Sequence, residues 1–255
     1  MRALFSTADR LEKGETQMIW RARYWHRVVA IAVAAVALIG AAMIPLAQAD
    51  SPVFPRDAVP YGNTYGEWSA RWWQWLLAIP TPLNPNLDAT GQHCQEGQSG
   101  PVWFLPGAFF FPGLPTIGLR SCTVPAGKAI LLPLTNTLFG SGAFDCKPTV
   151  PKTSCDINAI RRAAANDIDS RTFPTVQIDG TSVDNVIDFR VQSPVITLTY
   201  PKDNVIALLF GRPSVHEGTY TPNVSDGYFL IIAPLSHGAH TIALDGVVIW
   251  NLSIE

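Results

Sequence analysis

Thr241-Ile242-Ala243-Leu244-Asp245-Gly246-Val247-Val248-Ile249-Trp250-Asn251-Leu252-Ser253-Ile254 is the stretch on which the fold turns. Two apolar runs flank Asp245-Gly246, and Asp-Gly supplies the positive φ angles that a two-residue type I′ hairpin requires. Closed in that way, Ile242 faces Ile249 and Thr241 faces Trp250, which leaves both faces of the ribbon largely apolar. A ribbon of that kind belongs in a covered sheet. These strands are therefore expected to lie centrally, with another sheet on one face and at least one helix on the other.

Upstream, short apolar or alternating runs recur between Gly, Pro and Asp signals: 102–105, 128–134, 175–178, 187–191, 195–199, 205–210 and 228–233. A second Asp-Gly pair, Asp179-Gly180, marks another hairpin. Together with 241–244 and 247–254 this makes nine candidate strands, too many and too short for alternating βα units. The pattern predicts a mainly β fold, an antiparallel β-sandwich of jelly-roll or Ig-like type, with one Trp-rich N-terminal helix and a second short helix.

The Trp-rich helix is the clearest local element. Thr64 and Glu67 have capping-box spacing, and Pro80 closes the other end. Trp68, Trp72, Trp75, Leu76 and Ile79 share one face, as a helix laid on a sheet requires, and Glu67 has i, i+4 spacing to Arg71. Trp73 points away from that stripe, so it is either covered by the extended arm of residues 50–63 or exposed. An exposed Trp73 beside Arg71, Gln74 and Glu67 would form a ligand or partner contact, and these four residues are the candidate binding site. The second helix is expected over 156–168, capped by Ser154 or Asp156, with Ile157, Ile160, Ala164 and Ile168 on the packed face and Arg161 and Arg162 outward.

At the other end of the chain, 22 uncharged residues from Val28 to Ala49 follow Arg21, Arg23 and Arg27 and end in Ala47-Gln48-Ala49. Residues 1–49 read as an export leader, either a cleaved signal peptide or a signal anchor, since the run is long enough for both. Asp9, Glu12 and Glu15 fit an n-region poorly, whereas a start at Met18 gives a compact basic one. Residues 50–255 are then one exported domain, periplasmic or extracellular, or tethered outside the membrane through the leader.

Beyond residue 49, 12 Lys and Arg stand against 17 Asp and Glu, an acidic balance without the basic stripe that a nucleic-acid partner needs. All four cysteines, Cys94, Cys122, Cys146 and Cys155, lie in this exported part. Four cysteines permit three connectivities, and neighbour pairing gives Cys94 with Cys122 and Cys146 with Cys155. Neither spacing has the form of a zinc motif, and His93 next to Cys94 has no second local ligand, so no metal and no cofactor is predicted. His216-Glu217 starts like a zincin motif, but Tyr220 stands where the second His belongs. His237 and His240 open a strand, and Asp179, Asp184 and Asp188 read as turn carboxylates.

The segments Tyr65-Gly66-Glu67-Trp68-Ser69-Ala70-Arg71-Trp72-Trp73-Gln74-Trp75, Val102-Trp103-Phe104-Leu105, Cys122-Thr123-Val124-Pro125-Ala126-Gly127-Lys128 and Asp226-Gly227-Tyr228, with Pro234-Leu235, Gly238, His240, Thr241 and Ile242, resemble a family of uncharacterised exported bacterial proteins. The resemblance spans nearly the whole chain after the leader. It implies a bacterial source and one folded unit, and it carries no activity, cofactor or catalytic residue. Three functions follow as expectations: a non-enzymatic binding or surface module of the envelope, recognising an unknown ligand or envelope component; a structural or membrane-tethered component; or an exported hydrolase whose site leaves no local motif, with Glu67 and Arg71 or His216 and Glu217 as its groups.

Overall fold

In the computed structural model, which describes residues 52–107, 118–141, 156–172, 175–209, 215–245 and 248–255, the C-terminal hairpin forms with a connection one residue longer than expected. Strands β9 (Gly238–Leu244) and β10 (Val248–Ile254) pair so that Leu244 meets Val248, Ile242 meets Trp250 and Thr241 meets Asn251. Three residues, not two, separate the paired ends. A slip of one residue moves every side chain of one strand to the other face. Here it puts Ile242, Leu244, Trp250, Leu252 and Ile254 on one side, all buried, and leaves Thr241, Asn251 and Ser253 on the other.

The remaining strands are β1 (Val102–Phe104), β2 (Gly118–Val124), β3 (Ala129–Gly140), β4 (Val176–Ile178), β5 (Thr181–Ser182), β6 (Arg190–Gln192), β7 (Ile196–Tyr200) and β8 (Gly218–Ile232). The fold is mainly β, as expected, but its two five-stranded sheets are mixed rather than antiparallel throughout. One has the order β1-β3-β8-β6, with β7 also pairing with β8; the other has the order β2-β10-β9-β4-β5. The pairs β1–β3 and β2–β10 are parallel, and the rest are antiparallel. Between β4 and β5, Asp179 (φ 49°) and Gly180 (φ 76°) form the two-residue turn that Asp-Gly announces, with Ile178 opposite Thr181.

The first sheet is buried on both faces. Alternate residues of β3 and β8 divide between two apolar clusters: Ala129, Leu131, Phe229 and Ile231 in one, Ile130, Leu132, Leu230 and Ile232 in the other. This is why 129–132 and 229–232 read as unbroken apolar runs. The first cluster is completed by α1 (Tyr65–Ala78), whose Trp68, Trp72, Trp75 and Leu76 pack on that face. The second is completed by Val124, Val176, Ile178, Ile242, Leu244, Trp250, Leu252 and Ile254 of the other sheet. The C-terminal strands are thus central in their sheet and covered on one face. The helix expected over their other face lies instead on the first sheet, and Ala239 and Thr241 on that other face are exposed.

Helix α1 starts where its capping box predicts. Glu67 N–H donates to Thr64 Oγ1 (3.3 Å), and Thr64 N–H donates to Glu67 Oε2 (2.7 Å). Its indoles are held by main-chain carbonyls: Trp68 Nε1 donates to Pro60 (2.9 Å), Trp72 Nε1 to Leu105 (2.9 Å) and Trp75 Nε1 to Glu96 (2.8 Å). Helix α2 (Ile157–Asp169) is capped by Asp156, which accepts from the N–H groups of Asn158 and Ala159. Its Ile160, Ala164 and Ile168 are buried, whereas Ile157, expected on the same face, is exposed. Arg161, expected outward, instead donates to Gln192 Oε1 (2.7 Å) and to the Ser193 carbonyl (2.9 Å). Asp226, 3% exposed, takes Arg190 Nε (2.8 Å) and Gln192 Nε2 (3.0 Å), and Arg190 also meets Asp169 at the end of α2. These bonds tie α2 to β6 and β8.

Two further expectations fail for identifiable reasons. The run 205–210 is not a strand: Val205–Leu209 forms the short helix α3, where Asn204 Oδ1 accepts from Ala207 N–H (2.8 Å). Helix and buried strand share the same apolar signature in so short a run. Residues 187–191 are split, with a 3-10 turn at Val186–Phe189 before β6. The leader, Cys146 and Cys155 lie outside the described residues.

Candidate functional site: a polar trough beside the disulfide

The residues first expected to bind do not form an open surface. Trp73 is inside the core at 4% exposure, with its ring edge-on to Trp72 at 4.9 Å. Glu67, Arg71 and Gln74 are exposed, yet each is committed locally. Glu67 serves the helix cap, whose Thr64 N–H and hydroxyl hold its carboxyl below the ordinary range. Arg71 lies over the Trp68 ring, 5.4 Å from its centroid, and acts on Glu67 only at longer range. Gln74 Nε2 donates to the Thr197 carbonyl on β7 (3.1 Å). His216 and Glu217 are exposed at the start of β8, and Tyr220 donates its hydroxyl to the His216 carbonyl.

A different place carries the more open chemistry. The loop after α1 returns to the outer edge of the second sheet, where Cys94 is joined to Cys122 of β2. Asp88 organises that loop: its carboxylate accepts from Thr90 N–H (2.8 Å), the Thr90 hydroxyl (2.7 Å) and His93 N–H (2.9 Å). Burial pushes the Asp88 carboxyl up, and these donors outweigh it and hold the group below its ordinary value. Thr90 then accepts from Ser121 N–H on β2 (2.8 Å). Gly91 presses so closely that a Cβ would sit 2.3 Å from the Ser121 carbonyl oxygen, and its φ of +89° suits glycine alone. Gln98 fixes the far side, donating to the carbonyls of Cys94 and Phe104 and accepting from Phe104 N–H.

Between this loop and the outer face of β2 and β10 lies an open trough of about 390 Å³. Its lining comprises Gln92 and Gln95 from the loop, Ser121 and Thr123 from β2, and Asn251 and Ser253 from β10, around the disulfide and Leu252. The strand residues meet here because the parallel β2–β10 register sets Asn251 opposite Ser121 and Ser253 opposite Thr123. Ser253 donates to Glu255. Among the described residues, the side chains of Gln92, Gln95, Ser121, Thr123 and Asn251 make no hydrogen bond to the protein. On the opposite face of β2, Arg120 is buried above the Trp250 ring at 5.4 Å, where loss of solvent lowers its proton affinity and the Asp88 carboxylate partly restores it.

A second cluster joins the Asp179-Gly180 turn to the start of β9. His240 Nδ1 lies 2.7 Å from Asp179 Oδ2, and its Nε2 lies 3.0 Å from the Ser236 carbonyl and 3.3 Å from the Ser236 hydroxyl. The types match a Ser-His-Asp nucleophilic set, but the Ser236 carbonyl lies nearer to Nε2 than the hydroxyl does. Nδ1 faces the carboxylate, and Nε2 either donates to the Ser236 carbonyl or accepts from the Ser236 hydroxyl, according to the protonation of the ring. The Asp179 hydrogen bond raises the proton affinity of His240 above the ordinary 6.5, and the Ser236 carbonyl adds to this against partial burial. Asp179 also accepts Thr241 N–H (2.8 Å), so the cluster is a clasp between the β4–β5 turn and the start of β9. Among the described residues, no group of three His, Cys, Asp or Glu converges on a common point.

Compared with known protein families, with curated proteins and with solved structures, the chain matches none of them. Its chemistry has to be read from the site alone.

Proposed function

We propose that this chain is an exported, disulfide-stapled β-sandwich that works as a non-enzymatic binding or surface module of the bacterial envelope, with the trough as its contact surface. The observation that carries the reading is the set of five trough side chains whose donors and acceptors face outward uncommitted, on a sheet face that no described helix covers. The sandwich reading is supported by the shared cluster between the two sheets, with Leu132, Leu230 and Ile232 against Ile242, Trp250 and Leu252. Export is supported by the Cys94–Cys122 bond, which persists in oxidising compartments, and by the leader pattern in residues 1–49.

Contact with a partner would come through replacement of water on the amides and hydroxyls, with no bond made or broken. The test is co-sedimentation of the exported chain with isolated envelope fragments. Binding that falls about tenfold in a Gln95→Ala, Asn251→Ala double variant supports the module. Binding that is absent, or that is indifferent to the double variant, removes the trough from the account.

A further inference from the structure

We infer that the trough takes a neutral, hydroxyl-rich ligand, a short uncharged saccharide segment, and does not take an anionic glycan or an extended peptide. The inference rests on the trough being a binding surface and adds the class of ligand.

The lining decides the charge. None of its side chains is ionisable. An anionic ligand would lose water without gaining a counter-cation, and it would do so on a domain whose balance beyond residue 49 is acidic. The nearest charge in the bonding pattern is Glu255, held by Ser253, which repels anions further. Arg120 offers no relief, since it belongs to the opposite face of β2 and is covered by Trp250.

The edge decides against a peptide strand. β2 is an outermost strand, and an open edge is where an extended peptide adds by main-chain hydrogen bonds. Here the middle of that edge is already occupied, because Ser121 N–H donates to Thr90 and Gly91 sits against the Ser121 carbonyl. What stays accessible is the face, a surface of side-chain amides and hydroxyls. Each amide offers donors and an acceptor together, and each hydroxyl offers both, which suits ligand groups that also do both. Vicinal hydroxyls and neutral acylamino groups have that property.

The size agrees: about 390 Å³ is at the small end for ligand sites and has room for a short segment rather than a long chain. Without an aromatic platform in the lining, affinity depends on hydrogen bonds that compete with water, so dissociation constants on the order of 1 mM are expected.

The experiment is a titration of the 15N-labelled exported chain, followed at the side-chain amide resonances of Gln92, Gln95 and Asn251. The probes are maltotriose and triacetylchitotriose as neutral saccharides, trigalacturonate as the anionic arm, and an uncharged hexapeptide as the strand arm. The inference expects the neutral saccharides to move these resonances, trigalacturonate to act at least about tenfold more weakly, and the peptide to leave them in place. The double variant Gln95→Ala, Asn251→Ala should abolish the response, and Gln177→Ala, on the same sheet face outside the trough, should retain it. No shift with either neutral saccharide up to about 10 mM overturns the inference, as does an equal response to trigalacturonate or to the peptide. Trough-dependent sedimentation with envelope alongside silent saccharide titrations would overturn the ligand class and leave the module standing. Silence in both would end both.

Discussion

Beneath α1, the first sheet presents Phe104, Leu131, Leu198 and Phe229 to a set of buried tryptophans, and Trp68, Trp72 and Trp75 donate their indole N–H groups to main-chain carbonyls. On the far side of the protein, the second sheet presents Ser121, Thr123, Asn251 and Thr241 to solvent, with Gln92 and Gln95 standing over the first three. Both faces are built by the same two-residue alternation. The difference is in what the polar atoms do: the indole N–H groups of Trp68, Trp72 and Trp75 are bonded within the fold, and the five trough side chains make no hydrogen bond to the protein.

Breaking the first region should cost the most. Trp72 is fully buried and bonded to Leu105, so Trp72→Ala should lower unfolding free energy by about 3–5 kcal/mol in a urea titration. The trough should then be lost only together with the fold. Replacing both Cys94 and Cys122 by Ser should cost about 2–4 kcal/mol, because the bond closes a loop with a separation of 28 residues. This change sharpens the comparison, since it also frees the loop carrying Gln92 and Gln95: trough binding should weaken under conditions where the rest of the chain is still folded.

The clasp at His240 should matter less, and its sign with pH is fixed. Its proton affinity is raised in the folded state, chiefly by the bond to Asp179, so the stabilisation is fully present below the ordinary value of 6.5. It is lost as pH rises through the raised folded value. A wild type to His240→Ala difference of no more than about 1 kcal/mol is expected in acid, because Asp179 is partly exposed, and it should vanish in alkaline solution. A difference that instead grew with pH would mean that the neutral ring is the bonded form.

The parts of this fold that the sequence reveals are those fixed by neighbours in the chain. Thr64, Glu67 and Pro80 bound α1, Asp156 starts α2, and Asp179-Gly180 turns β4 into β5. What escapes it depends on distant pairing. Asp245-Gly246 reads as a two-residue turn, yet the observed register sets Leu244 opposite Val248, and that shift of one residue puts Trp250 rather than Asn251 on the face of Ile242. Strand β2 is hidden because Arg120, buried over Trp250, takes an inward position where an apolar residue is expected. The trough has no local signature at all: it joins residues 92–95, 121–123 and 251–253, brought together by a disulfide and a parallel pairing. The reading of Trp73 as an exposed contact fails for a related reason, since the periodicity of α1 says which face is apolar but not how far the surrounding core reaches.

The trough itself should contribute least to stability and most to contact. Unfolding free energy and envelope binding, measured side by side for the Gln95→Ala, Asn251→Ala double variant, separate the two roles. Stability should be unchanged within about 0.5 kcal/mol, with binding reduced about tenfold or more. A variant that binds as well as the wild type, or one that loses binding only because it has unfolded, would contradict that separation.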